Sequence, residues 1–144
     1  MGLEWSHSTE ALDWDELVAL YEASPPMGGK SAAGLKISFG NSMFKCFVYD
    51  DFRLVGAGRA LADGIACSYI ADIAVLPAYR GTGLGKQVVA ELLRLSAGHK
   101  RIILYSVPGK EPFYRKFGFR RMRTAMAIFA DQGAAARAGY IDED

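Results

Sequence analysis

Residues 70–86, IADIAVLPAYRGTGLGK, constrain the fold of this chain more than any other stretch. An apolar, β-branched run from Ile70 to Val75 stops at Pro77. A turn with a glycine at every second position follows (Gly81, Gly83, Gly85), and the helical pattern KQVVAELLRLSAG begins at once. A strand, a glycine-rich turn and a helix in that order form an anion-binding layout. Glycine lets backbone approach a ligand closely, and the first N–H groups of a helix have no partner within it. Arg80 and Lys86 add positive charge at either end of the turn.

Spacing narrows the kind of anion. A P-loop separates its first glycine from its Gly-Lys pair by four residues and continues with Ser or Thr. Here three residues separate Gly81 from Gly85, and Gln87 follows Lys86, so the metal-binding hydroxyl is missing. A dinucleotide fingerprint has the spacing G-x-G-x-x-G, with an acid about 20 residues on. The glycines here are spaced two by two, and Glu91 and Glu111 stand at other distances.

The spacing that fits is R-x-x-G-x-G, formed by Arg80, Gly83 and Gly85. It resembles the acyl-CoA pyrophosphate loop of the GNAT superfamily of N-acetyltransferases. A second element, EPFYRKFGF from Glu111 to Phe119, is similar to the F-Y-x-x-x-G-F segment near the end of that family's domain. The two occur in the family's order, separated by a helix and a strand. The resemblance covers most of the chain and is weakest over residues 1–42 and 131–144.

The resemblance implies an acetyl-CoA-dependent transfer to a primary amine of a small molecule or peptide, by direct attack in a ternary complex. It places pantetheine where the strand of residues 66–75 splays from that of residues 102–106. Backbone groups of Ile73, Ala74 and Val75 would pair with the pantetheine amides as an added strand pairs with an edge. The Ile73 amide would polarise the thioester oxygen. Arg80, Gly81, Thr82, Gly83, Leu84, Gly85 and Lys86 would hold the pyrophosphate, with Phe113 and Tyr114 also at the coenzyme A site. Tyr114 matches the family's general acid, and a phenol of pKa about 10 can protonate a thiolate at neutral pH. The alternative is a GNAT-fold regulator that binds acyl-CoA with little or no catalysis; Tyr114 favours the enzyme.

Other residues carry two readings. Asp72 interrupts an apolar strand, where a carboxylate is costly unless paired or facing water. It is either the base or ammonium-binding group for the amine, or an ion partner for Arg59 or another strand cation. Arg59 could bind a substrate carboxylate in bidentate fashion or pair with Asp63 or Asp72. Tyr49, Tyr69 and Tyr105 either line an acceptor site or pack in the sheet. Phe113, Phe117 and Phe119 read first as core residues. His99 reads as a helix-end cap, and His7 as a solvated loop residue.

The expected fold is α/β (α+β): one GNAT-like domain over residues 1–144, with 131–144 as a loose helix or tail. Its central sheet is mixed, with an antiparallel meander, a parallel splayed strand pair and helices on both faces. Expected helices run from Asp13 to Glu22, over residues 31–38 and 84–97, and over 112–116. The segment 27–30 between the first two is a candidate mobile wall. Expected strands cover residues 3–6, 44–49, 53–61, 66–75, 102–105 and, last, 122–130. A length of 144 residues suits one domain, and 51% apolar residues excludes general disorder. A net charge of +1 gives no bulk attraction to nucleic acid or membrane. No apolar run is long enough to span a bilayer. Cys46 and Cys67 offer no metal spacing and no disulfide framework, so no metal is expected and a reduced, cytoplasmic setting is. A homodimer stays open.

Overall fold

In the computed structural model, which describes residues 2–144, five strands lie side by side in the order in which they occur in the chain. They are β1 (Leu3–Ser6), β2 (Phe44–Asp50), β3 (Arg53–Ala62), β4 (Cys67–Val75) and β5 (Arg101–Ile103). The first three junctions are antiparallel and the fourth is parallel. Tight turns make the meander. Between β2 and β3, Asp51 and Phe52 both have positive φ, 50° and 67°, the combination whose twist matches a two-residue hairpin. Between β3 and β4, the Asp63 carboxylate accepts the N–H groups of Ile65, Ala66 and Cys67 at 2.8, 2.7 and 3.2 Å. Those three bonds, Ile65's first, hold its carboxyl down at about 2.

A parallel neighbour for β4 requires a crossover, and α3 (Leu84–Leu95) supplies it. The apolar residues at helical spacing, Leu84, Val88, Val89 and Leu92, are all buried. At the helix end, His99 Nε2 accepts the Gly64 N–H at 3.1 Å, so the ring proton sits on Nδ1 and is donated to the Ser96 carbonyl at 2.8 Å. His99 thus ties the end of α3 to the β3–β4 turn. The other helices start where the sequence supplies caps. Asp13 accepts from the Asp15 and Glu16 amides ahead of α1 (Trp14–Glu22), and Ser31 from Gly34 ahead of α2 (Ala32–Gly40).

Neighbouring residues of β3 show that helices cover both faces. A Cβ on Gly58 would lie 2.8 Å from Leu92 and 3.1 Å from Val88, so this position faces α3. The next residue, Arg59, lies over the Phe39 ring of α2 at 5.9 Å, and Phe39 packs on Phe47 of β2 with ring centroids 5.4 Å apart.

The chain divides into two compact units, the first reaching Leu104 and the second Tyr105–Asp144. The second holds α4 (Glu111–Arg115) and α5 (Gln132–Arg137), capped by Asp131 through the Ala134 N–H at 2.9 Å. The final strand expected over residues 122–130 does not form: these residues have no regular structure, and Met126 and Ile128 are 96% and 94% exposed. Strand propensity is realised only against a hydrogen-bonding neighbour, and this unit contains helices and loops but no strand to pair with.

At Gly58 α3 packs so close to β3 that a Cβ would meet Leu92 at 2.8 Å. Gly58→Val should overpack this contact and lower stability by about 1–3 kcal/mol, measured by urea unfolding, with little change in the unfolding slope.

Candidate functional site

β4 pairs with β5 only from Cys67 to Tyr69, opposite Arg101 to Ile103. From Ile70 onward no strand among the described residues pairs with its second edge. Ile73, Ala74 and Val75 lie on this open stretch. Backbone groups of successive residues point to opposite sides. Leu76 N–H bonds to the Val55 carbonyl at 2.9 Å, so Ala74, opposite Ala57, is also committed to β3. Val75 therefore presents its N–H and C=O to the open edge, where the carbonyl accepts a 3.3 Å bond from Ser24 Oγ.

A bulge sits just before this stretch. The register jumps from Arg59↔Ala71 to Ala57↔Ala74, so Asp72 and Ile73 together oppose Gly58. Asp72 has φ 55°, left-handed backbone that a non-glycine residue rarely adopts. Its partners hold it on two sides. Its carbonyl accepts the Tyr21 hydroxyl of α1 at 2.7 Å. Its carboxylate meets Arg59 Nε at 2.7 Å and Lys30 Nζ at 3.4 Å. Arg59 Nη1 in turn donates to Ser42 Oγ at 3.2 Å. Of the two acids open to Arg59 in the sequence, the structure selects Asp72. The ion-partner reading of Asp72 matches this geometry, because both carboxylate oxygens already face cations.

Tyr21 and Lys30 are members of this cluster that the sequence reading did not single out. Tyr21 looked like one more apolar residue of α1. Its signal was a phenol on a buried face, since a buried hydroxyl has to find an acceptor. Lys30 follows the Gly28-Gly29 pair in the segment read as a mobile wall. That segment is tied down by the Lys30–Asp72 contact and by the Gly29 N–H, which donates to Glu22 Oε1 at 2.8 Å.

After β4 the chain makes a 3₁₀ turn, Pro77–Tyr79, anchored by the Tyr79 hydroxyl on Asp50. Gly81 and Gly83 follow with φ 79° and 88°. A Cβ on either would meet no protein atom within 4 Å, so these glycines leave an open cradle. Thr82 Oγ1 turns back to the Tyr79 carbonyl at 2.5 Å. Gly83 occupies the capping position of α3 and has no side chain to cap it; the first N–H bond within the helix is Gln87 to the Gly83 carbonyl. The amides of Gly85 and Lys86 thus start the helix without a capping side chain, and the Leu84 amide has only a long 3.4 Å contact with Thr82 Oγ1. The exposed Arg80 and Lys86 flank them, while Leu84 buries its side chain in the core. This arrangement suits a diphosphate.

In the second unit, Tyr114 lies on α4 against Phe113 (5.0 Å between ring centroids) and Phe119 (6.0 Å). Phe113 also packs on Phe117 at 5.6 Å. Burial raises the Tyr114 phenol above its ordinary pKa, which keeps it a proton donor at neutral pH. Tyr105 belongs to a different aromatic cluster of that unit, edge-on to Phe129 and Tyr140 at 5.9 and 5.6 Å. The four candidate acceptor residues belong to different units: Tyr49, Arg59 and Tyr69 to the first and Tyr105 to the second. Tyr49 stands at the hairpin end of β2, where burial first, then Glu16 and Asp13, raise its phenol. Tyr69 is paired in the sheet with Leu61 and Ile103. Arg59 joins the Asp72 cluster. His7 pairs with Glu91, and burial pushes the Cys46 thiol up to about 12, so it is unreactive. Among the described residues no helix is long and apolar enough to cross a membrane, and no group of three His, Cys, Asp or Glu could hold a metal ion.

Known proteins share this fold. Residues 42–121 match the family described as the acetyltransferase (GNAT) domain. The chain is 31% identical over 124 residues to the glucosamine 6-phosphate N-acetyltransferase of Trypanosoma brucei brucei, an alignment covering 78% of this chain and 84% of that enzyme. It is 33% identical to an uncharacterized ycf52-like N-acetyltransferase of Prochlorococcus marinus over 59% of its own length, and spans only 51% of that longer relative. Its backbone superposes on an aminoglycoside N-acetyltransferase, AAC(6')-Iy, solved in complex with CoA, with a TM-score of 0.69 at 14% identity, covering 89% of this chain and 94% of that one. The chain therefore belongs to the GNAT acetyltransferase family, and its place is among the N-acetyltransferases.

The Asp72 cluster makes a testable demand. Asp72→Asn leaves Arg59 and Lys30 facing each other without an anion. The variant should lose about 1–3 kcal/mol in thermal or urea unfolding, less than a fully buried pair because both partners keep some exposure. An unchanged melting point would show that the ion pairs do not hold the bulge.

Proposed function

We propose that the chain is an acetyl-CoA-dependent N-acetyltransferase, acting on a primary amine of a small molecule or peptide by direct attack in a ternary complex. The observation that carries this reading is the run from an open β4 edge into an uncapped helix start. A donor with a peptide-like arm and a diphosphate finds backbone partners for both in one continuous segment. The CoA complex of the aminoglycoside enzyme and the amine-acetylating relatives support the same assignment.

Acetyl-CoA supplies a thioester-activated acetyl group when bound. The protein's share is positioning and proton traffic. The Val75 backbone pairs with the arm, and the Leu84, Gly85 and Lys86 amides, with Arg80, hold the diphosphate. The Ile73 amide polarises the thioester oxygen. Tyr114 would give its phenolic proton to the departing sulfur and regain one from solvent, and solvent would take the proton that the amine sheds on becoming an amide. Asp72, held between Arg59 and Lys30, is a weak candidate for the amine's base. The reading leaves it as an ion partner, and the amine reacts as its free-base fraction.

Two substitutions check this. Gly83→Ala should cost about 1–2 kcal/mol of stability through its positive φ while the protein still folds, and should abolish the thermal stabilisation given by acetyl-CoA. Undiminished stabilisation in the folded variant would remove the diphosphate site from this turn. Tyr114→Phe should slow turnover about 10²–10⁴-fold with acetyl-CoA affinity nearly intact. A wild-type rate in a thiol-release assay, under conditions where chemistry limits, would leave the phenol a packing role only.

A further inference from the structure

We propose that Tyr21 is a positioning residue for acetyl transfer: by bonding the Asp72 carbonyl it aims and strengthens the Ile73 amide that polarises the thioester. This inference rests on the acetyltransferase reading and names a residue that the reading itself does not require.

The argument begins with a covalent fact. The Asp72 carbonyl and the Ile73 N–H belong to one peptide unit, which is planar and trans, so they point in opposite directions. Whatever fixes one fixes the other. Tyr21 is fully buried, and its hydroxyl donates to the Asp72 carbonyl at 2.7 Å. Burial, and after it the Asp72 charge, push the phenol well above its ordinary pKa, so it stays a donor across the working range. A hydrogen bond to a carbonyl also polarises the peptide and makes its N–H a stronger donor.

This peptide needs an external hold. Asp72 is the only non-glycine residue with positive φ inside a strand among the described residues; Asp51 and Phe52 lie in a hairpin turn. Left-handed backbone at such a residue persists only when its surroundings over-determine it, and such strain concentrates at functional positions. Arg59 and Lys30 grip the side chain, but a side chain can be held while its peptide plane rotates. Tyr21 is the contact that acts on the plane itself.

The test is isotope-edited infrared spectroscopy of acetyl-CoA carrying a ¹³C-labelled thioester carbonyl, bound to the full chain. In the wild type the carbonyl band should lie below that of free acetyl-CoA. Tyr21→Phe keeps the ring and removes the hydroxyl. It should move the band back toward the free position and lower kcat about 10- to 100-fold, with the acetyl-CoA Kd within about twofold and the amine KM unchanged. A purely structural role would lower the melting point and leave the band where it was, and that result overturns the proposal. Should Tyr21→Phe fail to fold, Asp72→Gly serves instead, since glycine accepts the positive φ and keeps the carbonyl that Tyr21 bonds. Its band should stay at the wild-type position; a band returned to the free position would assign the peptide's orientation to the ion pairs and sink the inference. A wild type that binds acetyl-CoA with an unshifted band would overturn the inference while sparing the family assignment. A wild type that does not bind acetyl-CoA at all would fail the proposed function first, before any variant is made.

Discussion

β4 is hydrogen-bonded to β3 along nearly all its length and to β5 only as far as Tyr69, and the candidate site depends on that divergence. An unpaired strand edge inside a fold is ordinarily a liability, because its backbone groups either lose hydrogen bonds or recruit another chain. Under the proposed function the same groups become a template for an extended, amide-bearing ligand. The short β5 makes the opening. The α3 crossover then carries the chain from the open edge to a glycine turn whose helix amides are also unclaimed. Both halves of the donor site are thus consequences of one β-α-β connection.

The bulge at Asp72 is the second organising element. An extra residue in β4 resets which backbone groups face β3 and which face the open edge, since a shift of one residue reverses the alternation. Such a kink survives because it is held from several directions. Tyr21 comes from α1, Lys30 from the loop after it, Arg59 from β3, and Ser42, which holds Arg59, from the link between α2 and β2. A carboxylate so enclosed would be costly alone; two cations and their own hydrogen bonds offset that cost. Helices on the face opposite α3 therefore contribute to the site as well as to the core.

Much of this was legible in the sequence because local rules act alone there. The glycine spacing from Gly81 to Gly85 marked a sharp turn into a helix, and the structure gives Gly81 and Gly83 the left-handed backbone that only glycine accepts readily. Asp13 and Ser31 marked helix starts. The apolar spacing of Leu84, Val88 and Leu92 marked the buried face of α3. Where the reading failed or stayed open, the missing information was non-local. Residues 122–130 have strand-like composition, yet a strand exists only with a partner, and their unit offers none. Arg59 could have reached Asp63 or Asp72, and Asp63 is instead consumed by three turn amides. Tyr49 and Tyr69 looked equivalent as sheet aromatics, but Tyr49 stands at the β2–β3 hairpin and Tyr69 is paired with Leu61 and Ile103, while Tyr105 belongs to the second unit.

The sequence by itself determined the order of elements, the turn chemistry and the family, because each is written in contiguous residues whose spacing has one physical reading. Only the tertiary structure decided which charges meet at Asp72, where β4 loses its neighbour, and that the Tyr21 hydroxyl lands on the peptide that carries the Ile73 amide. Those are contacts between residues 13 to 51 positions apart, and no local pattern in the chain records which of the available partners each group will find.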